Sequence, residues 1–392
     1  MNILFVHNTA DLYGASRSLL RLSARLRRDG HCVVAVLPES GPLRLPLEEA
    51  GVLVAIDRWL AAIDRRRLSP LGILTFPARL AASTAQIAGL IRRHRVDVVH
   101  TNTALIFSPA LAAAVCRVPH VWHIRECFSE FPLFWRWHQR VMAVLADRIV
   151  AVSSAVAAQF REAIRLRKVV MIHNGFPSAE FEAVPTERVE AFRRRFGVNG
   201  GPVAGLIGRI KLQRKGQDVF VRAVARLRER FPNARFLLIG SPFPGNEDHL
   251  EALNRMIRDL NVSGYVTCTG EVEDMKAAYA ALDFTVLPTV LPEPFGGAVI
   301  ESMAVGKPVI GTRLGGTAEQ IEHGITGLLV DPGDAEQLAD AMADFLDHPE
   351  KTTTMGAAAK ERFLDRFEFE PFYRRMLDLY RELHKPYAPC VY

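Results

Sequence analysis

Residues 293–306, with the sequence EPFGGAVIESMAVG, decide the fold of this chain. They follow the apolar run Phe284–Leu287, which predicts a buried strand, and a helical pattern begins at about Gly297. A strand, a glycine turn and a helix in this order form a βα unit of a parallel sheet. Glycines at the start of such a helix let a ligand approach the backbone N–H groups closely. The segment therefore predicts an α/β fold with a ligand site at the carboxyl end of a strand.

Two carboxylates in this segment are candidate site residues. Glu301 lies one helical turn beyond Gly297 among apolar neighbours, so its carboxylate needs a hydrogen-bonding partner. Ribose hydroxyls would satisfy this need by donating to both oxygens. Glu293 stands just outside the helix, where its carboxylate would face a ligand. The alternative interpretation is that both belong to structural salt bridges.

A second segment, residues 208–216 (GRIKLQRKG), carries the opposite charge. It follows the predicted strand Val203–Ile207 and precedes a predicted helix at 217–231. Its cations are Arg209, Lys211, Arg214 and Lys215. Cations at a helix N-terminus are unfavourable unless an anion binds there. The segment lacks the G-K-[ST] sequence of a Walker A loop. We predict an anion site here, with an exposed basic loop as the alternative.

Strands and amphipathic helices alternate along most of the chain, which predicts two doubly wound parallel units. The pattern predicts seven strands before residue 174 and six after residue 202. Between these positions the alternation pauses in a stretch rich in glycine and proline. The predicted organisation is an N-terminal domain at 1–178, a linker at 179–200, a C-terminal domain at 201–368 and a final region at 369–392 that contains a helix.

The composition excludes several classes of protein. The 392 residues are 49% hydrophobic and 23% charged, with a mean hydropathy of +0.08, unlike disordered or collagen-like chains. No stretch reaches the roughly 20 apolar residues that span a bilayer. The N-terminus lacks the basic region of a signal peptide. The five cysteines include no C-x-x-C pair, so we expect no disulfide framework and no zinc site. A cytoplasmic protein is expected.

The charge is distributed unevenly between the two halves. Residues 1–180 contain 23 Lys and Arg against 13 Asp and Glu, whereas residues 181–392 contain 26 against 30. The net charges are therefore +10 and −4. A basic N-terminal half indicates an anionic partner, such as a membrane surface, or else an arginine-rich solvated surface. Nucleic acid is the least favoured partner because no recognised motif accompanies the charge.

The two segments at 208–216 and 293–306 resemble family-4 glycosyltransferases of the GT-B fold. Members of this family carry G-R…K-G and then E-P-F-G…E-x-M-A-x-G-x-P-V, which here ends at Val309. Further similarity lies at 150–153 (VAVS), 173–175 (HNG) and 324–330 (GITGLLV). The resemblance covers essentially the whole chain and is strongest after residue 200. It implies two Rossmann-like domains that face a central cleft, with the C-terminal helix returning to the N-terminal domain.

The resemblance assigns roles in the C-terminal domain. Arg209 and Lys215 would hold the diphosphate of a nucleotide-sugar donor. Glu301 would bind its ribose, and the loop that contains Glu271 would lie against the nucleobase. Glu293 would contact the transferred sugar. The backbone amides expected beside the sugar are those of Phe295, Gly296 and Gly297.

The N-terminal half departs further from the family pattern. Members often have two adjacent glycines after the first strand, whereas residues 12–16 (LYGAS) contain only Gly14, which we expect near the donor phosphates. His123, at the end of a predicted strand, matches a histidine that faces the sugar in the family. His120 is expected on the same face of that strand and stays an alternative. Arg125 and Glu126 are weaker candidates for the site.

The function implied by the resemblance is retaining transfer of a sugar from a nucleotide-diphosphate sugar to a glycan or lipid-linked acceptor. Such a reaction would serve bacterial surface polysaccharide or glycolipid synthesis. His123, Arg209, Lys215 and Glu293 would act in the transfer. We expect no metal and no cofactor, because fixed cations stabilise the leaving phosphate and no D-x-D motif is present. The alternatives are a non-hydrolysing nucleotide-sugar epimerase and a non-catalytic nucleotide-sugar-binding subunit.

Three segments mix aromatic or apolar residues with arginine, as interfacial segments do. They are residues 58–60, 65–68 and 128–137. They suggest peripheral attachment of the protein to the inner face of the cytoplasmic membrane. The alternative is a packed α/β core with arginine-lined helices.

Overall fold

The computed structural model describes residues 1–63, 70–181, 183–243 and 245–384. The chain divides into two compact units. The first comprises Met1–Gly175 together with the segment that begins at Glu370, and the second is Phe176–Phe369.

The first unit is built on a parallel sheet. Its strands are β1 (Asn2–Val6), β2 (Cys32–Leu37), β3 (Leu53–Ile56), β4 (Val98–Thr101), β5 (His120–Ile124), β6 (Arg148–Ala151) and β7 (Val169–Met171). In the described residues these seven strands lie in the order β3-β2-β1-β4-β5-β6-β7. The helices are α1 (Gly14–Arg28), α2 (Arg44–Glu49), α3 (Pro70–Arg93), α4 (Ser108–Cys116), α5 (Pro132–Leu145), α6 (Ser154–Ala158) and α7 (Glu162–Lys168). This order places a topological switch point between β1 and β4.

The local sequence explains these elements. Ile3, Leu4, Phe5 and Val6 are all fully buried, as expected for a parallel strand that is covered on both faces. Helix α6 begins after Ser153, because the Ser153 hydroxyl accepts a hydrogen bond from the Val156 amide at 3.1 Å and caps the helix.

The second unit repeats this design. Its strands are β8 (Val203–Ile207), β9 (Arg235–Ile239), β10 (Val266–Gly270), β11 (Phe284–Leu287), β12 (Val309–Thr312) and β13 (Gly327–Val330). In the described residues they form a parallel six-stranded sheet in the order β10-β9-β8-β11-β12-β13. The helices are α8 (Thr186–Arg195), α9 (Gln217–Leu227), α10 (Glu247–Asp259), α11 (Met275–Ala281), α12 (Gly297–Ala304), α13 (Thr317–Gln320), α14 (Ala335–Asp347) and α15 (Pro349–Arg366). The switch point lies between β8 and β11.

The segment predicted as a linker, 179–200, belongs to the second unit instead. Phe192 of α8 is buried and packs in one cluster with Val198 and Val203. The Arg193 guanidinium donates a hydrogen bond of 2.7 Å to the carbonyl of Ala281. The glycines and prolines around α8 therefore mark turns at the surface of this unit rather than a free connection.

Helix α15 was not predicted, although it has 18 residues. Its buried positions include Thr352, Gly356 and Ala359, whose small or polar side chains give little apolar periodicity. A Cβ atom on Gly356 would lie 2.3 Å from the Gly306 carbonyl oxygen. The helix is thus held by close backbone packing, which a hydropathy pattern does not reveal.

The last described helix, α16 (Phe369–Leu383), packs within the first unit. The Tyr373 hydroxyl donates to Asp29 at 2.5 Å, and Arg375 donates to the carbonyl of Met171 at 2.6 Å. The Tyr380 hydroxyl lies 2.8 Å from Nδ1 of His100. Each of these contacts joins α16 to an element of the first sheet or to a helix beside it.

Among the described residues, no helix combines the length and the apolar character needed to cross a membrane.

Candidate functional site

Two predicted loops meet at the switch point of the second sheet. The loop at 208–216 follows β8, and residues 288–296 follow β11, the neighbouring parallel strand. The Val290 amide donates to the carbonyl of Arg214 at 2.9 Å, which joins the two loops directly. Ligands of doubly wound sheets bind at such a point.

Glycine makes this close approach possible. Gly216 has φ +73°, and a Cβ atom there would lie 1.8 Å from the carbonyl oxygen of Pro288. Gly315 has φ +59°, and a Cβ atom there would lie 2.5 Å from the Glu293 carbonyl oxygen. Larger residues are excluded at both positions, so the backbones of these loops pack against each other without side chains between them.

The main charged contact of this site is an ion pair between the two loops. Nζ of Lys215 lies 2.6 Å from Oε1 of Glu293. Their side chains are 26% and 13% exposed, so both are partly shielded from water. The Gly316 amide donates to the Glu293 carbonyl at 2.7 Å and holds the backbone of the acid. The structure thus brings together two residues that were predicted separately.

Helix α12 begins at Gly297 with an N-terminus that has no side-chain cap. Gly296 is the N-cap residue and provides no side-chain hydrogen bond. The N–H groups of the first turn of a helix attract anions when no side chain satisfies them. Phe295 packs on Phe367 with ring centroids 5.8 Å apart. Gly296 is further held by Gln320, whose Nε2 donates to its carbonyl at 3.2 Å.

Glu301 has a protein partner on a neighbouring helix. The hydroxyl of Tyr279, a buried residue of α11, donates to Oε2 of Glu301 at 2.8 Å. Tyr279 therefore supplies a hydrogen bond that the Glu301 carboxylate needs in these apolar surroundings.

Arg209 and Glu271 lie along the same edge of the sheet. The Arg209 guanidinium carbon stands 4.9 Å from the ring centroid of Phe243, a cation–π contact. Glu271 is exposed and follows directly after β10. The roles expected for both residues stay predictions.

Sequence reasoning missed three features of this site. Gln217 is fully buried, and its Nε2 donates to the Arg209 carbonyl at 2.8 Å, which fixes the basic loop. Gly315 and Gly316 support the backbone of Glu293, as described above. The paired glycines after β12 are a visible signal for close backbone approach, whereas nothing in the sequence marks Gln217 as a buried amide.

The first unit has a polar network at its own switch point. Helix α1 begins at Gly14, which is exposed, and its N-cap Tyr13 forms no side-chain capping bond. His7, just after β1, lies 3.0 Å from the Ser16 hydroxyl and 3.3 Å from Nδ2 of Asn102. Burial lowers the pKa of His7 to about 4, so its ring is neutral near pH 7.

His123 is buried at the carboxyl end of β5. Its Nδ1 lies 3.3 Å from Nε2 of His100, and its Nε2 has no hydrogen-bond partner among the described residues. Burial, assisted by the positive charge of Arg125, holds the pKa of His123 well below its usual value. The imidazole is therefore a neutral, buried group whose Nε2 is unpaired among the described residues.

The expectation that His120 shares a face with His123 is wrong. The two residues are three positions apart, and side chains alternate between the faces of a strand. Nε2 of His120 contacts the Thr101 hydroxyl at 2.8 Å, and its ring packs on Trp122. Burial lowers the pKa of His120 to about 3, in keeping with a neutral core residue.

Arg125 is held by neutral side chains. Its Nε donates to Asn102 at 2.8 Å, and its two terminal nitrogens donate to Asn174 at 2.7 Å and to Ser18 at 3.1 Å. Desolvation lowers its pKa to about 10, so it keeps its charge at neutral pH. Glu126, whose pKa is raised by burial, accepts hydrogen bonds from Thr103 and from the amides of Ala104 and Arg125.

Two further expectations concern the surroundings of these sites. Residues 65–68, expected at a membrane interface, lie outside the described residues.

Within the described part of the chain, no group of three or more His, Cys, Asp or Glu side chains has an arrangement that would hold a metal ion.

The chain contains two Rossmann-like units, one with a parallel sheet of seven strands and one with a parallel sheet of six strands, which is the architecture of the GT-B class of α/β proteins. The chain belongs to the family-4 glycosyltransferases. Residues 13–180 match the family described as "Glycosyltransferase Family 4", and residues 201–348 match "Glycosyl transferases group 1".

Solved structures show the same fold. That of Anabaena HepE in complex with UDP has a TM-score of 0.81 at 24% identity, covering 97% of this chain and 100% of that one. A glycosyltransferase from Rickettsia africae has a TM-score of 0.83 at 22% identity, covering 98% and 99%.

Curated relatives match over most of their length. The "GDP-mannose-dependent alpha-(1-6)-phosphatidylinositol monomannoside mannosyltransferase" of Mycobacterium tuberculosis is 28% identical over 306 residues, or 74% of this chain and 77% of the relative. The "D-inositol 3-phosphate glycosyltransferase" of Corynebacterium urealyticum is 26% identical over 332 residues, or 78% and 77%.

The packing of Gly216 can be tested by substitution. Gly216→Ala should lower the free energy of unfolding by about 2–5 kcal/mol, from the positive φ together with the clash against Pro288. Gly333→Ala is the matched control, because Gly333 has φ +80° and open space around it. It should lose only about 1–2 kcal/mol. Equal losses in urea unfolding would show that the two loops do not constrain residue 216.

Proposed function

We propose that the protein is a retaining, metal-independent glycosyltransferase that uses a nucleotide-diphosphate sugar. The observation that carries this proposal is the Lys215–Glu293 pair, 2.6 Å apart beside the uncapped N-terminus of α12. Lysine and free helix amides suit a diphosphate, and a carboxylate suits sugar hydroxyls. The M. tuberculosis relative is named as GDP-mannose-dependent, and a HepE structure is described as a complex with UDP-glucose, which supports this donor class.

The proposed reaction breaks the bond between the anomeric carbon and the leaving phosphate oxygen. Negative charge develops on the diphosphate, and Arg209, Lys215 and the N–H groups of α12 stabilise it without reorganisation. The acceptor hydroxyl oxygen forms the new bond on the same face of the sugar. Its proton passes to the departing phosphate. No cofactor takes part in this scheme.

Glu293 and Glu301 have separate roles in the proposal. Lys215 contacts Oε1 of Glu293 and the Gly316 amide holds its backbone carbonyl, and the proposal assigns this carboxylate to the hydroxyls of the transferred sugar. Glu301 is oriented by Tyr279 and binds the ribose. Glu271 lies at the same sheet edge, where it would contact the nucleobase. In the first unit, Gly14 would face the donor phosphates and His123 the sugar.

We further propose that the acceptor is a glycan or lipid-linked molecule of a bacterial surface pathway, reached at the inner face of the cytoplasmic membrane. Helix α5 supports this proposal, because it contains no acidic residue and exposes both apolar and basic side chains. Leu133 is 80% exposed and Trp137 is 53% exposed, and Arg136 and Arg140 lie on the same outer surface. Phe128 and Trp135 are buried instead, so only one face of the 128–137 segment suits an interface.

Donor binding tests the central assignment. Among UDP, GDP, ADP, TDP and CDP, one diphosphate should raise the melting temperature and bind measurably by calorimetry. Lys215→Met should weaken that binding about 10- to 100-fold, the value of a hydrogen bond to a charged group. Lys351→Met is the control, because Lys351 pairs with Asp344 at the same 2.6 Å distance elsewhere in the unit. Unchanged affinity in Lys215→Met, or no binding of any diphosphate, would contradict the proposal.

Metal independence has its own test. Release of nucleoside diphosphate from the donor sugar, measured with acceptor-containing membranes, should persist in excess EDTA because fixed cations supply the positive charge. Activity that disappears in EDTA and returns with Mg²⁺ or Mn²⁺ would show that a metal is required.

Membrane attachment should depend on helix α5. Vesicles that contain anionic lipid should sediment the protein at low salt, and binding should fall as salt screens the charges. Arg136→Glu/Arg140→Glu should abolish sedimentation. Arg222→Glu/Arg226→Glu, a matched pair on α9 of the second unit, should not. Equal behaviour of the two variants would leave a non-membrane acceptor as the better proposal.

A further inference from the structure

A chain of buried polar side chains connects helix α16 to His123. The Tyr380 hydroxyl lies 2.8 Å from Nδ1 of His100, and Nε2 of His100 lies 3.3 Å from Nδ1 of His123. A terminal nitrogen of Arg125 lies 3.4 Å from the same Nδ1. All four residues belong to the first unit.

The chemistry of arginine fixes the direction of these hydrogen bonds. A guanidinium only donates, so its contact with Nδ1 of His123 favours the state in which this nitrogen accepts and carries no proton. Nε2 of His100, which faces the same atom, must then be a donor as well. The two donors share the single lone pair of Nδ1, consistent with the long distances of 3.3 and 3.4 Å.

The remaining protons follow from the neutral state of both rings. Burial holds the pKa of His100 and of His123 well below the usual value, so each ring carries one proton. If that proton is on Nε2 of His100, its Nδ1 is an acceptor. The Tyr380 hydroxyl, whose pKa is raised by burial, is therefore the donor at the end of the chain.

The surrounding packing holds these groups in place. Phe5 of β1 lies against His100, with ring centroids 4.9 Å apart, and also against Tyr380 at 6.4 Å. Phe5, His100, His123 and Tyr380 all have no more than traces of solvent exposure. Water therefore does not compete for the hydrogen bonds, and the arrangement of donors and acceptors is determined by the protein.

We propose that Tyr380 and His100 are positioning residues that set the tautomer of His123, so that its proton is on Nε2 and is donated to an oxygen of the ligand. Nε2 is buried and has no partner among the described residues, and an N–H there requires an acceptor. The role of His123 toward the sugar rests on the proposed function. The tautomer itself does not, because it follows from contacts within the first unit.

The opposite tautomer would be unfavourable in this environment. A proton on Nδ1 of His123 would point at the N–H of Arg125. Nε2 would then be an acceptor, and a sugar hydroxyl could pair with it only by donating its own proton. Arg125 selects against this state from one side. Tyr380 supports the proposed tautomer from the other side, because when its hydroxyl donates to Nδ1 of His100 the His100 proton stays on Nε2.

Nitrogen-15 NMR of the histidine rings measures the tautomer directly, with no substrate present. In the full chain labelled at histidine, the His123 ring, identified by the signals lost in His123→Gln, should show a protonated Nε2 and an unprotonated Nδ1. Tyr380→Phe removes the terminal donor and should shift both nitrogen signals of His123 toward a mixture of tautomers.

Tyr373→Phe is the matched control. Tyr373 lies on the same helix, is only 2% exposed, and donates to Asp29 rather than to a histidine. It should lose stability to a similar degree while leaving the His123 signals unchanged. The proposal is overturned if the wild-type ring carries its proton on Nδ1. It is also overturned if Tyr380→Phe leaves both signals where they were, or if Tyr373→Phe moves them equally.

Kinetics then tests what the tautomer contributes to transfer. Once a donor is identified, Tyr380→Phe should lower kcat by at least about tenfold with little change in KM, since a wrong histidine tautomer impairs the reaction rather than ground-state binding. A correct tautomer in a protein that binds no nucleotide sugar would remove the proposed function and leave the tautomer assignment intact.

Discussion

The second unit depends on a close approach between backbone segments at the switch point of its sheet. The loops after β8 and β11 lie so near each other that a Cβ atom at residue 216 would overlap the Pro288 carbonyl oxygen at 1.8 Å. With no side chain between them, Lys215 and Glu293 reach across at 2.6 Å. The ion pair is therefore a consequence of the close backbone packing of the two loops.

The first unit meets a different physical problem, which is the burial of polar groups. Arg125 keeps a positive charge although its partners Asn102, Asn174 and Ser18 are neutral. Such a charge is costly to bury unless hydrogen bonds or an opposite charge compensate for it. The nearby imidazoles respond by remaining neutral, because burial and the field of Arg125 both disfavour their charged form. The guanidinium thereby imposes an order on the donors and acceptors around it.

The two units share a topology but use it for different chemistry. At the switch point of the second sheet the described side chains are charged, and the start of α12 adds N–H donors. At the switch point of the first sheet, Arg125 lies close to the buried, neutral imidazoles of His100 and His123. Helix α16 extends this network, since the Tyr380 hydroxyl lies 2.8 Å from Nδ1 of His100. Fold alone thus does not define the site, which depends on the residues placed at each sheet edge.

Local sequence determined the strands, most helices and the charged loops, because apolar periodicity and glycine positions act over a few residues. It also brought Arg209, Lys215, Glu293 and Glu301 into consideration before any contact was known. Only the tertiary structure joined Lys215 to Glu293, gave Glu301 its partner Tyr279 and placed residues 179–200 in the second unit. It also separated His120 from His123 and linked the latter to α16. These are contacts between residues far apart in sequence, and their geometry depends on how sheets and helices pack, which no local pattern encodes.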